Sequence, residues 1–174
     1  MTKGGRRRRA PADLLRPALA CFLLLATGCL YSLNGGGLPK HIRTVAVLPF
    51  DNETATPELQ RELNDELRKA IASRLGLHEA PEQKASAVVR GTIVRYVFDE
   101  ATGVSANTQS TNIRRRLTIT VDVEIIDQST GKPLWERKGL SAQGEYAENA
   151  EAAGRKQAVE RIVNLVIEGA QSQW

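Results

Sequence analysis

Cysteine and histidine are scarce in this chain, with two of each in 174 residues. That nearly excludes a zinc module, which draws about four ligands mostly from these two residue types. It also leaves little material for nucleophilic or general-base chemistry. Long apolar runs are missing as well: the longest, Ala18–Ala26, has nine residues, about half the roughly 20 that a membrane-spanning helix needs. A phosphate-binding loop is absent, because the triple glycine Gly35–Gly37 is not followed by a spaced Gly-Lys-Ser/Thr. Nor does the body of the chain carry a surplus of positive charge, although the formal net charge is +4 and the pI near 9.3. Six of the 24 basic residues and one of the 20 acidic residues lie in positions 1–28, so 18 and 19 remain from Cys29 onward, a net charge of −1. The basic pI belongs to the N-terminal leader, and a nucleic-acid-binding body is disfavoured.

What is present begins with that leader. Lys3, Arg6–Arg9 and Arg16 precede the apolar Ala18–Ala26, and the small residues Thr27 and Gly28 follow, which is the pattern of a secretory signal peptide. Leu25-Ala26-Thr27-Gly28-Cys29 resembles the bacterial lipobox, in which the cysteine is acylated and becomes the mature N-terminus. The resemblance implies a signal peptide over 1–28, a covalent lipid on Cys29 as the membrane anchor, and removal of Cys21 with the leader. The mature chain would then hold one cysteine and form no intrachain disulfide. Leu30, rather than Asp, after the cysteine resembles lipoproteins forwarded to the outer membrane. Residues 29–43, with the glycine run and Pro39, read as a lipidated tether.

From residue 44 the pattern is that of one domain, 44–174. Thr44–Phe50 is a nearly continuous β-branched and apolar run, expected as a buried strand. Pro57 suits a first helical position after Thr56. Leu59, Leu63, Leu67, Ala70, Ile71 and Leu75 then recur at spacings of three and four until Gly76, so the spacing predicts a helix. Ala87–Phe98 is expected as a second strand, and Asp99–Asn112 as a long polar loop. Residues 117–125 alternate strictly, with Leu117, Ile119, Val121, Val123 and Ile125 on one side and Thr118, Thr120, Asp122 and Glu124 on the other: a strand with one core face and one wet face. Turn chemistry at Asp127–Lys132 introduces a fourth strand from Pro133 towards Tyr146, and Asn149 is expected to cap a terminal helix reaching about Gln171. The order predicts an α+β fold with two helices packed on one face of a mostly antiparallel four-stranded sheet, a β-α-β-β-β-α sandwich.

No constellation of an enzyme appears. His41 falls in the tether and His78 just after the first helix, each read as a surface residue. Glu145, Glu148 and Glu151 read as acids near a helix N-terminus, where the macrodipole favours them. Arg114, Arg115 and Arg116 form the notable charge run of the mature chain. They allow two readings: a phosphate clamp, since guanidinium forks match phosphate oxygens, or a strand end guarded by charge and paired with Asp99 and Glu100. Arg90, Arg95 and Lys132 are weaker candidates of the same kind.

Several segments together resemble the LptE family, lipoproteins that assist lipopolysaccharide assembly in the outer membrane of Gram-negative bacteria. The resemblance lies in Cys29 followed by Tyr31-Ser32-Leu33, in Thr44–Phe50 with Asp51-Asn52-Glu53-Thr54, in Arg116–Val123, in Thr130–Glu136, and in Gly144-Glu145-Tyr146 before the Ala-rich terminal helix. Leu30 stands where the family usually has Gly. The resemblance implies a non-enzymatic, cofactor-free domain lodged in the lumen of the β-barrel LptD, plugging it, aiding its assembly and having affinity for lipopolysaccharide. On that reading Arg114, Arg115, Arg116, Arg95 and Lys132 are candidate lipopolysaccharide-binding residues, and the protein faces the periplasm and the barrel lumen. A Val-rich strand ending in Pro-Phe-Asp-Asn is also similar to lipoproteins around CsgG and to penicillin-binding-protein activators. The alternative is therefore a free-standing periplasmic lipoprotein that binds a partner protein.

Overall fold

A computed structural model of the chain describes residues 38–99 and 114–172. Cys29, the leader and most of the expected polar loop lie outside the described residues. The chain forms β1 (Thr44–Val47), β2 (Asp51–Asn52), α1 (Pro57–Ala70), β3 (His78–Glu79), β4 (Ala87–Asp99), β5 (Arg114–Asp127), β6 (Pro133–Ala147) and α2 (Glu151–Ser172).

Each long element forms where its side-chain period has somewhere to bury. On β5 the odd residues from Leu117 to Ile125 are all buried and the even ones from Thr118 to Ile126 are half-exposed. α1 turns Leu59, Leu63, Leu67 and Ala70 inward, then continues as a π-helical turn, Ile71–Leu75, until Gly76 reverses the chain at φ 66°. A positive φ of that size costs glycine little. α2 buries Ala158, Val159, Ile162, Val163, Val166, Ile167 and Ala170, a broad stripe that packs on β5, β6 and α1. Both helices contribute to one core beneath the sheet, with Phe50, Ile93 and Trp135.

The sheet departs from the expected four antiparallel strands. It has six strands in the order β3-β1-β4-β5-β6, with β2 pairing β4. Only β4, β5 and β6 run antiparallel; β1 is parallel to both β3 and β4, and β2 is parallel to β4. The reason is topological. β1 and β4 are sheet neighbours joined by a long connection that contains α1, and a crossover of that length returns the chain in the same direction, whereas the tight turn at residues 128–132 forces antiparallel pairing. β2 and β3 are two residues each and polar, too short to show a period. Asn149, expected as a cap, adopts φ 67° and turns the chain two residues before α2 begins.

The N-terminal side of the domain is fastened at the far end of β5. Leu38 and buried Ile42 pack against the main core, within the stretch read as a tether, and His41 Nε2 lies 2.9 Å from Asp127 Oδ2. Asp127 is buried, and its other oxygen accepts hydrogen bonds from the backbone N–H and hydroxyl of Ser129 at 2.8 and 2.7 Å. Those Ser129 bonds, then His41, hold its carboxyl well below the usual carboxylate range. A depressed acid contributes stability that is complete above its unfolded value, about 3.9, and is lost as pH falls through the folded one. Wild-type melting temperature is therefore expected to fall on acidification below about pH 4. Asp127→Asn should melt lower at pH 7 yet lose part of that acid slope, and thermal melts from pH 2 to 7 measure both.

Candidate functional site

Because both helices lie under one face, the other face of β4, β5 and β6 has no helix over it among the described residues. Register fixes what it displays. Arg95, Thr120 and Ser141 form one row across the three strands, Val97, Thr118 and Gln143 the next, and Arg116 and Glu145 a third. Thr120 and Ser141 hydroxyls are 2.9 Å apart. Towards the other end Arg90 is ion-paired with Glu124, and Asp122 Oδ1 accepts the N–H of Gly139 at 2.7 Å, holding a bulge in β6. A small apolar cluster, Ala46, Ala85 and Val88, closes the face beside β1.

The structure separates the five candidate cations. Arg114, Arg115 and Arg116 meet at the start of β5. Arg95 sits two rows away on the open face, with no ion pair among the described residues. Lys132, exposed, follows the other end of β5; with about 3.3 Å of rise per residue, that puts it roughly 40 Å from Arg114. The triplet also divides by face: Arg114 and Arg116 share Glu145 at 3.7 and 3.6 Å, while Arg115 pairs with Glu148 at 3.3 Å. Among the described side chains the carboxylates that meet the arginines are thus Glu145 of β6 and Glu148 of the following turn, while the side chains of Asp99 and Glu100, expected as partners, lie outside them. Their sequence position before a helix suggested a macrodipole role; the hairpin register brings Glu145 directly opposite Arg116 instead.

Sequence reasoning missed a second polar assembly. Tyr96 on β4 donates its hydroxyl to Glu151 at 2.8 Å. Arg155, 3.3 Å from that Glu151 on the next turn of α2, forks onto Glu62 of α1 through two bonds of 2.9 Å. Burial, then the Glu151 bond, pushes the Tyr96 hydroxyl above its ordinary value, and the Glu62 fork pushes Arg155 up. The assembly ties sheet to both helices, and its spacing over 93 residues leaves no local signal. Among the described residues no three His, Cys, Asp or Glu side chains converge as metal ligands, and no helix is long and apolar enough to cross a membrane.

The profile of a lipopolysaccharide-assembly family, LptE, matches residues 42–168, from the segment before β1 through most of α2. The chain belongs to the LptE family. That membership groups it with lipopolysaccharide-assembly lipoproteins and covers the sheet, both helices, the arginine triplet, Glu145 and Glu148. Comparison with curated proteins gave no match. Among solved structures, the PelC dodecamer from Paraburkholderia phytofirmans has a TM-score of 0.50 at 19% identity, covering 79% of this chain and 93% of that one. The protein CT253 from Chlamydia trachomatis has a TM-score of 0.50 at 13% identity, covering 74% and 97%. At these identities the likeness is one of fold, and it supports reading this LptE domain as a mixed sheet backed by two helices.

Proposed function

We propose that this LptE protein is a lipid-anchored, non-enzymatic partner of an LptD-type outer-membrane β-barrel, seated in the barrel lumen through the open face of β4–β6 and aiding both barrel assembly and lipopolysaccharide insertion. The observation that carries the reading is that face. Its centre is hydroxyls and an amide, Thr118, Thr120, Ser141 and Gln143, on a rigid sheet, while the apolar sides of the same strands are used up against the helices. The inner wall of an outer-membrane barrel is itself polar, so such a face can exchange water for hydrogen bonds there. Residues 1–28 act as signal peptide, 29–43 as a lipidated tether whose last residues, Leu38–Ile42, are fastened to the core, and 44–174 as the seated domain; no cofactor and no nucleic acid takes part. Arg114, Arg115, Arg116, Arg95 and Lys132 are the residues proposed to meet lipopolysaccharide.

Photo-crosslinkers placed at Thr118 and Thr120 in cells should form adducts with a large β-barrel, and one placed at Glu66 on the far side of α1 should give a different pattern. Adducts only with a peptidoglycan enzyme or secretion component would replace the plug by the free-standing alternative. Acylation has its own check. Two or three acyl chains, at about 0.8 kcal/mol per buried methylene, hold a domain on a membrane firmly. Cys29→Ala should therefore retain the leader and lack the acyl chains, shifting the N-terminal mass; an N-terminal mass unchanged from wild type would refute an anchor at Cys29.

A further inference from the structure

The Arg114–Glu145–Arg116 bridge differs from the other arginine fork of the protein. Arg155 and Glu62 make two parallel bonds of 2.9 Å, the geometry of a committed guanidinium–carboxylate pair. Glu145 instead lies 3.7 Å from one guanidinium and 3.6 Å from the other, beyond hydrogen-bond distance of both. Among the described side chains one negative charge faces two positive ones, and Arg116 also carries a buried Nε–H with no acceptor among them. A buried donor left unpaired costs about 1–3 kcal/mol. The site therefore has more donors and more positive charge than its resident carboxylate can satisfy.

We infer that this bridge is the resting form of a phosphomonoester site, in which Glu145 occupies the place of a lipid phosphate and yields it when the lipid arrives. The inference rests on the lipopolysaccharide reading above and adds its regulation. A phosphomonoester brings three acceptor oxygens and a charge of about −1.5 to −2, which meets two guanidiniums more completely than one carboxylate does. The ligand is a phosphorylated amphiphile rather than free phosphate, because the neighbouring strand end exposes apolar surface. Val97, 39% exposed, lies on the same face opposite Thr118, one row from Arg116. Arg115 stands outside the exchange, since it points to the other side and keeps Glu148.

The exchange predicts that removing an acid strengthens binding. The probe is a fluorescent short-chain phosphatidic acid, titrated into the full-chain protein in neutral detergent, with the matching phosphatidylglycerol as a phosphodiester control. Glu145→Gln should bind phosphatidic acid roughly three- to tenfold tighter than wild type, the direction expected when a competing charge leaves two guanidiniums. Arg114→Ala or Arg116→Ala, combined with Glu145→Gln, should abolish that gain. Arg116→Lys keeps the charge but loses the Nε donor, and should lose most of the preference for phosphatidic acid over phosphatidylglycerol. Melting curves identify any variant whose fold is lost. Unchanged or weaker binding by Glu145→Gln would overturn the exchange, even if the arginine variants still lose affinity and the lipid-binding reading stands. Inorganic phosphate competing as well as the lipid would overturn the amphiphile assignment, and no binding by wild type or variant would overturn the site while leaving barrel association untouched.

Discussion

Val121→Asp should lower the melting temperature by roughly 10 °C or more, whereas Thr120→Asp, one residue away, should lower it by less than about 3 °C. Val121 is fully buried under the helices at the middle of β5. A carboxylate there has no partner, and leaving a charge uncompensated in a core costs about 3–5 kcal/mol. Thr120 is half-exposed on the open face and lies opposite Arg95, so an acid at 120 stays hydrated and gains a cation as neighbour. Its loss is the hydroxyl contact with Ser141, a small quantity for a surface pair. Equal destabilisation by the two substitutions, in thermal melts of purified protein, would contradict a sheet covered on one side.

Gly144→Ala should be as damaging without introducing any charge. A Cβ on Gly144 would lie 1.8 Å from the carbonyl oxygen of Gly154 and 2.6 Å from its carbonyl carbon, so strand β6 and helix α2 touch backbone to backbone at this point. Overpacking a core usually costs about 1–3 kcal/mol where side chains can shift. Here the obstacle is helix backbone, and relief requires moving α2 away from β6. That movement would also pull Arg161 from the carbonyl of Gln143 and Gln157 from the N–H of Glu145, the two bonds by which α2 fastens this edge strand. A cost of about 3 kcal/mol or more is expected. Gly131→Ala is the matched control: its φ is 67° but nothing lies within 4 Å, so it should cost only about 1 kcal/mol, the strain of a side chain in the left-handed region. If Gly144→Ala melted like Gly131→Ala, the close approach of β6 and α2 would be disproved.

What could be read from residues alone follows the range of the forces involved. The faces of β5 and the buried stripe of α1 were legible because a one-sided core imprints its period on consecutive residues, from Leu117 to Ile125 and from Leu59 to Ile71. The two-residue strands β2 and β3 were not, since two residues carry no period and these pairings are set by where β1 and β4 already lie. Strand direction was missed for a related reason. The run Thr44–Val47 reads as a buried strand whichever way its neighbour points, and only the crossover through α1 makes it parallel to β4. Polar partners separated in sequence were the least visible. His41 finds Asp127 across 86 residues, Glu62 finds Arg155 across 93, and Glu145 meets Arg116 only because a twelve-pair hairpin register aligns them. The arginine triplet was visible as a charge run, while the acids that hold it were read for their position near a helix. The family resemblance extended further than the local patterns because it weighs the order of whole segments, from the strand before Asp51-Asn52 to the Gly144-Glu145-Tyr146 ahead of α2.

The central claim is that this LptE domain works inside a partner barrel. Affinity purification of the full-length protein from outer membranes solubilised in mild detergent, followed by size-exclusion chromatography and mass analysis, tests it most directly. A one-to-one complex with a large β-barrel protein is expected, and it should weaken when Thr118, Thr120, Ser141 and Gln143 are replaced together by Glu while the free domain still melts cooperatively. Recovery of the protein free of any barrel, with its acyl anchor intact and its fold unchanged, would contradict it.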